Sequence, residues 1–312
     1  MSLERALELA ERGRRTTRPN PVVGAVVVRD GRVVGEGWHE RKGGPHAEVV
    51  ALAAAGERAN GATLYVTMEP CAHHGATAPC TEAVIAAGIA KVVAGSRDPN
   101  PEAAGGLEVL DAAGVEVEDV SSFAARAQNE AWRTWVSKSR PFVILKLALT
   151  LDGHVAVEGD RWISVEESRR YVHRLRAQMD AVAVGMGTVR ADDPQLTARG
   201  VNAERQPRRL AFGRGPLPEG SGLELRSGGL EQELAALAAE GVQSLLLEGG
   251  PTLAESFLRA GLVDKLLLFV APRIGGAGPT FAPSLVAAVP LRRMQAERSG
   301  DDVLLSAYVH EP

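Results

Sequence analysis

The sequence predicts an α/β protein built as two tandem domains. Three observations carry that expectation. The chain has 312 residues, more than one core comfortably organises, and 45% of them are hydrophobic, enough for two cores. Short β-branched runs alternate with stretches of helical period through both halves. Between the halves, Ser139-Arg140-Pro141 is a polar seam ended by proline and followed by a fresh apolar run. The expected domains are therefore 1–140 and 141–312.

In the first half, Leu3, Leu7 and Ala10 line one face of an opening helix. The runs Val22–Val28 and Val33–Glu36 flank Arg29-Asp30-Gly31-Arg32, and Asp-Gly between two strands signals a hairpin. A helix from about His46, a strand Thr63–Thr67, a helix from about Cys80 and a strand Lys91–Gly95 follow. A further helix, a short strand Val115–Glu118 and one helix over Phe123–Ser137 end the half. The second half opens with strand Phe142–Leu149, helix Val165–Gln178 and strand Asp180–Val184. Next come a strand near Arg209–Phe212, a Gly/Pro-rich surface connection over Gly213–Gly229 and helix Leu230–Glu240. Strand Ser244–Leu247, helix Thr252–Ala260, strand Lys265–Ala271 and a terminal strand Val303–Val309 complete it.

Composition removes several functions. With 35 basic against 39 acidic side chains, a net charge of −4 and 4% aromatics, the chain lacks the charge and stacking residues of a general nucleic-acid binder. No apolar run approaches the ~20 residues that cross a bilayer. The amphipathic, partly acidic start is unlike a secretory or transit peptide. Two cysteines are too few for a disulfide scaffold. The expectation is a cytoplasmic protein with no nucleic-acid or membrane partner.

The chemistry-bearing residues cluster. His46-Ala47-Glu48 lies 25 residues before Cys71, and Cys80 follows nine later. An H-x-E followed by P-C and a second cysteine is the pattern of zinc deaminases, here with a longer gap between the sulfurs. One imidazole and two thiolates hold zinc tetrahedrally and leave a fourth position for water, whose pKa the metal lowers. Glu48, two residues after the ligand on the same helical turn, is placed to move the proton. Two cysteines nine apart are also able to close a disulfide loop, and a histidine at a helix start is often a cap. A structural zinc site would normally supply four protein ligands and would not need Glu48. The whole constellation points to one catalytic zinc per chain. His73 and His74 are expected to line the pocket or meet a phosphate rather than to ligate, and His39 to be a surface histidine or to stand behind the ligands rather than to ligate. In the second half, Gly185-x-Gly187 after a strand is a weak phosphate signal. Glu248-Gly249-Gly250-Pro251-Thr252 frees backbone N–H groups at a helix start for an anion, or simply makes a tight turn. Arg176 and Arg199 read more readily as solvated charges than as anion ligands.

These residues resemble the bifunctional riboflavin-biosynthesis deaminase/reductase family of bacteria. The resemblance rests on Thr17-Arg18-Pro19-Asn20-Pro21-Val22-Val23-Gly24, on Gly44–Val49, on Glu69–Cys80 with its long gap, and on Asp98-Pro99-Asn100-Pro101. It continues through Pro141–Lys146, Leu151-Asp152-Gly153, Arg161–Ser164, Val172–Arg176, Gly187–Arg199 and Gly261–Asp264. It implies a cytidine-deaminase-like three-layer α/β/α domain followed by a dihydrofolate-reductase-like α/β domain. The implied reactions are zinc-dependent hydrolytic deamination of 2,5-diamino-6-ribosylamino-4(3H)-pyrimidinone 5′-phosphate and NADPH-dependent reduction of its ribosyl group to ribityl. Carried over by position, Asn20, Asp98 and Asn100 contact the first substrate. Ala148, Trp162, Thr188, Asp192 and Gly250-Pro251-Thr252-Leu253-Ala254-Glu255-Ser256 meet NADPH, and Arg176, Leu196, Arg199 and Glu248 meet the second substrate. The family also implies a homo-oligomer, dimer or higher. Where it usually has Ser at 72, Arg at 76 and Pro at 78, this chain has alanines; Asp160 replaces a serine, and Phe212-Gly213-Arg214 replaces a segment that is acidic or carries a serine. Asp160 would repel a phosphate and is expected to point elsewhere. The alternative is a deaminase whose second domain only binds or dimerises.

Overall fold

A computed structural model describes residues 2–74 and 78–312, so Ala76 lies outside the described residues. The chain divides into two compact units, Met1–Lys138 with Pro312, and Ser139–Glu311. No helix among the described residues is long and apolar enough to cross a membrane.

The first unit opens with α1 (Ser2–Glu11), then β1 (Gly24–Arg29) and β2 (Arg32–Trp38). Asp30 and Gly31 both have positive φ, 49° and 73°, the backbone a two-residue hairpin turn demands. After α2 (Ala47–Ala55) comes β3 (Thr63–Val66), then α3 (Cys80–Ala86), β4 (Lys91–Ala94), α4 (Gly106–Ala112) and β5 (Glu116–Asp119). The five strands form one sheet in the order β2-β1-β3-β4-β5, antiparallel on the hairpin side and parallel from β3 to β5. Alternate residues serve opposite faces. Ala25, Val27, Leu64 and Val66 pack with Ala47, Ala51 and Ala55 of α2, and with Val84, Leu107 and Leu110. Val26 faces Ala6 and Leu9 of α1 on the other side. Helices on both faces make the three layers. A Cβ at Gly37 would lie 2.5 Å from the Ala51 nitrogen, so the bare glycine lets α2 lie directly on β2. The single helix expected over Phe123–Ser137 is two, α5 (Phe123–Gln128) and α6 (Glu130–Lys138). At the break, the Asn129 amide donates to Val22 O (2.8 Å) and its oxygen accepts from Val22 N (2.9 Å), a long-range contact that competes with helix continuation.

The second unit contains β6 (Phe142–Thr150), α7 (Glu166–Gln178), β7 (Ala181–Gly185), α8 (Met186–Asp192) and β8 (Arg208–Phe212). β9 (Glu224–Arg226), α9 (Leu230–Ala239), β10 (Ser244–Leu247), α10 (Pro251–Arg259), β11 (Lys265–Ala271), β12 (Arg292–Ser299) and β13 (Asp302–Tyr308) follow. Eight strands run in the order β12-β13-β11-β6-β10-β7-β8-β9. The six from β11 to β9 are parallel, and β13 and β12 return antiparallel at one edge. Every residue of β10 is buried, as expected of a strand covered on both faces. Three elements depart from the sequence expectation. β9 lies inside the segment read as a plain surface connection, α8 occupies the Gly185-x-Gly187 turn region, and β12 was not anticipated. β12 is exposed along nearly its whole length, so no apolar alternation marks it, and its pairing with β13 is what makes it a strand.

At the start of this unit the expected seam is an anchor. Arg140 donates twice to the buried Asp264 carboxylate (2.6 and 2.7 Å), which also accepts from Val143 N (2.9 Å). Burial raises the Asp264 pKa, but these bonds outweigh it and hold the carboxyl below its usual range. The stabilisation is therefore complete above the ordinary carboxylate range and is lost as pH falls through the depressed folded pKa. Arg140→Ala removes the guanidinium and leaves the buried carboxylate with Val143 N and the neighbouring His310 ring. Denaturant unfolding at neutral pH should show a loss of about 3–5 kcal/mol, and the deficit should shrink in acid.

Candidate active sites

His46 ends the approach to α2 in extended backbone, and Glu48 occupies the first turn of that helix, 3% exposed. Cys80 opens α3, and Cys71 stands in the loop after β3. These elements bring one nitrogen and two sulfurs together, all within 4.8 Å of one another. His46 Nδ1 is 3.1 Å from Cys80 Sγ and 3.6 Å from Cys71 Sγ, and Cys80 N donates to Cys71 Sγ at 3.4 Å. Both cysteines are free thiols, which removes the disulfide reading. Zinc bonds of about 2.1 Å to nitrogen and 2.3 Å to sulfur at a tetrahedral angle place those atoms about 3.6 Å apart, so the donor set fits the metal. Cys71 is pushed down, chiefly because the Cys80 thiol donates to it, and Cys80 is pushed up by the same bond and by burial. His46 is shifted upward, first by its bond with Cys71.

Burial pushes Glu48 up to about 7, and its Oε2 has no hydrogen-bond partner among the described residues. It lines a cavity of about 430 Å³ together with His46 and Cys71. Asn20, Asp98 and Asn100 line the same cavity. Asn20 is held by His39, which is 4% exposed. The His39 Nδ1–H donates to Pro45 O (3.0 Å), leaving Nε2 to accept from the Asn20 amide (3.2 Å). Burial also keeps that ring neutral. Asp98 is raised to about 6 by burial, although its carboxylate accepts from Asn100 N at 2.8 Å. Beneath it, buried Glu69 accepts from Asp98 N (3.1 Å) and Leu107 N (3.0 Å) and pairs with Arg97 (3.3 Å). His73 lines the cavity, and exposed His74 pairs with Glu82 instead. Trp132 and Trp135 also line it, and sequence reasoning missed them. Their three-residue spacing on a helix was the available signal.

In the second unit, Arg176 and Glu248 meet in a two-bonded pair (2.6 and 2.9 Å), nearly buried on both sides. Lys146 Nζ lies 4.0 Å from the same carboxylate. Burial lowers the Lys146 pKa, partly offset by Glu248. Lys146 was passed over at the sequence level, although it is the one charge in the apolar run 142–149. Lys146 and Ala148 share one face of β6, the half-buried positions of that strand. Thr188 lies beside the start of α10, since a Cβ on Gly250 would stand 3.5 Å from its Oγ1. Pro251 occupies the first turn of α10, and Gly250 is its N-cap. Thr252 and Ser256 are exposed and Leu253 half-buried, whereas Ala254 and Glu255 turn into the core, where Glu255 accepts from Ser284 N (3.1 Å). Asp192 and Arg199 are exposed, and Leu196 is buried with φ 53°. Trp162, 55% exposed, is flanked by the guanidiniums of Arg161 and Arg169 at 5.2 and 5.3 Å. Asp160 pairs with Arg273, as its charge requires.

The family model of the cytidine and deoxycytidylate deaminase zinc-binding region matches residues 2–96, and that of the RibD C-terminal domain matches 141–219 and 224–305. The riboflavin biosynthesis protein RibD of Aquifex aeolicus is 40% identical over 96% of this chain and 95% of its own. A solved structure of Acinetobacter baumannii RibD is 35% identical, with a TM-score of 0.84 over 98% of this chain and 97% of that one. A Thermotoga maritima structure, described as a diaminohydroxyphosphoribosylaminopyrimidine deaminase/5-amino-6-(5-phosphoribosylamino)uracil reductase, is 36% identical with a TM-score of 0.82 over the same shares.

Glu69 fixes the Asp98 turn, so Glu69→Ala leaves two main-chain N–H groups without acceptors. Thermal or denaturant unfolding should register a loss of about 1–3 kcal/mol; an unchanged midpoint would mean water replaces the carboxylate at no cost.

Proposed function

The chain belongs to the RibD family of bifunctional deaminase/reductases of riboflavin biosynthesis, and on that footing we propose which of its residues carry each step. It is an enzyme with a zinc-dependent deaminase half and an NADPH-dependent reductase half. The reading assigns residues 1–140 to the first and 141–312 to the second; the reach of the two family models and the division into compact units support it.

His46, Cys71 and Cys80 hold the zinc. When bound, the metal supplies the acidity that makes water a nucleophile near neutral pH. Glu48 takes one proton of the attacking water and delivers it to the ring nitrogen, then takes the proton left on the added hydroxyl and delivers it to the amino group, which leaves as ammonia as the carbonyl forms. Its buried, unpartnered Oε2 suits that work, because a carboxyl poised near neutrality both accepts and donates. Asn20, Asp98 and Asn100 orient the pyrimidine ribotide. The convergence of the three ligand atoms and Glu48 on one cavity is the observation that carries the assignment.

In the second half NADPH supplies the hydride that turns ribosyl into ribityl. Ala148, Trp162, Thr188, Asp192 and, at the α10 start, Gly250, Pro251, Thr252, Leu253 and Ser256 meet the cofactor, whereas Ala254 and Glu255, buried in the core, support that helix from behind. Free N–H groups at that helix start receive phosphate. Arg176, Leu196, Arg199 and Glu248 meet the substrate, with Glu248 fixing the Arg176 guanidinium. The enzyme acts in the cytoplasm as a homo-oligomer, without a nucleic-acid or membrane partner. The net charge of −4 speaks against polyanion binding, and the exposed edge strand β12 invites pairing with another copy.

Glu48→Gln should retain one zinc per chain by metal analysis while ammonia release falls by about 10²-fold or more; an active variant overturns the role given to Glu48. Replacing both cysteines by alanine should instead remove the metal. NADPH absorbance should fall only when the deaminated substrate is present. Arg176→Ala should lower kcat/KM for that reduction about tenfold or more while ammonia release persists. A wild-type chain that never oxidises NADPH would leave only the deaminase.

A further inference from the structure

The deaminase cavity contains carboxylates at Glu48, Glu69 and Asp98, and no lysine or arginine is among its lining residues. Position 76 is alanine and adds no charge. The ribotide assigned to this cavity under the proposed function nevertheless carries a phosphomonoester at the end opposite its reacting amino group. A phosphate dianion needs cations within hydrogen-bond reach.

One side of the cavity is bordered by a basic lip. The turn over 12–20 holds Arg12, Arg14, Arg15 and Arg18 with no acidic residue, and the loop over 39–45 holds Arg41 and Lys42 against Glu40 alone, in a chain whose net charge is −4. The two segments are tied together. Lys42 N donates to Thr16 O (3.3 Å), the Thr16 hydroxyl donates to Glu40 O, and a Cβ on Gly13 would meet His39 O at 2.4 Å. Both segments reach the cavity directly: Pro19 and Asn20 line it from the turn, Gly43 and Gly44 from the loop. Several of these cations are engaged elsewhere. Arg14 pairs with Glu11, and Arg12 lies 4.8 Å over the Trp38 ring. Arg97, near the other side, is committed to Glu69, Glu108 and Asp119. Arg41 and Lys42 are exposed, and neither side chain has an ion pair among the described residues. From Lys42 to His46 is four residues, a span of at most about 14 Å when extended, comparable with the length of a ribotide anchored by its ring at the metal ligands.

We infer that Arg41 and Lys42 form the phosphate-binding lip of the deaminase site and set its preference for the phosphorylated substrate over the free riboside. The inference rests on the deaminase reading given above. The two cations also draw the dianion toward a cavity whose interior is acidic, so their effect is felt in encounter as well as in binding.

The test follows ammonia release by the zinc-loaded full-length enzyme on the ribotide and on the same compound without phosphate. For the double variant Arg41→Ala/Lys42→Ala, the ratio of kcat/KM for ribotide over riboside should fall about tenfold or more, mainly through KM for the ribotide. Zinc content should stay at one per chain. The swapped variant Arg41→Lys/Lys42→Arg should recover most of the ratio. Wild-type kcat/KM on the ribotide should fall steeply with salt and that of the double variant less so. An unchanged ratio overturns the inference, as does an equal loss on both substrates, which would mark the loop as scaffold. If the wild-type chain releases ammonia from neither compound, the deaminase reading fails first and the lip falls with it.

Discussion

Everything in the first unit is arranged around a carboxyl group that is almost wholly buried at the wall of the cavity. Glu48 is buried with one oxygen lacking a hydrogen bond, a state that folded chains avoid because desolvating an unpaired acid is costly. The cost is borne by the packing beneath it. Ala47, Ala51 and Ala55 lie flat on a sheet whose glycine at 37 allows near-backbone contact, so the helix has no freedom to rotate Glu48 outward. The same rigid helix start holds His46 toward the two sulfurs. The candidate metal-ligand set and the carboxyl proposed to carry its protons are thereby fixed by one helix-on-sheet contact.

The second unit handles buried charge in the opposite way. Lys146, Arg176 and Glu248 are also withdrawn from solvent, yet each has a partner of opposite sign in the cluster. Burial alone would lower the lysine and raise the glutamate; the guanidinium and ammonium reverse the second effect and keep Glu248 ionised below its ordinary range. A partnered cluster orients groups without leaving a proton in play. A carboxyl with one oxygen free of hydrogen bonds keeps its proton mobile. The contrast fits the two reactions, since deamination by water moves several protons through one residue, whereas hydride transfer depends on holding two molecules in register.

The two-unit plan, the hairpin at Asp30-Gly31 and the metal triad were legible because each rests on local chemistry: apolar period, a turn that needs positive φ, residue types with one characteristic use. What was missed lacked such a mark. β12 has no apolar alternation and exists by pairing with β13. The Phe123–Ser137 helix breaks because Asn129 reaches a residue 107 positions away. Lys146 was visible as an isolated charge in an apolar strand, but its meaning depends on Glu248, 102 residues on, meeting it across the sheet.

The sequence by itself therefore determined most of the elements, the family and the candidates for metal ligation, because those follow from spacing and residue type. Only the tertiary structure decided which groups share a cavity, which acid is left without a partner and which histidine orients Asn20. Desolvation and hydrogen bonding depend on distances between segments remote in the chain, and no local pattern encodes those distances.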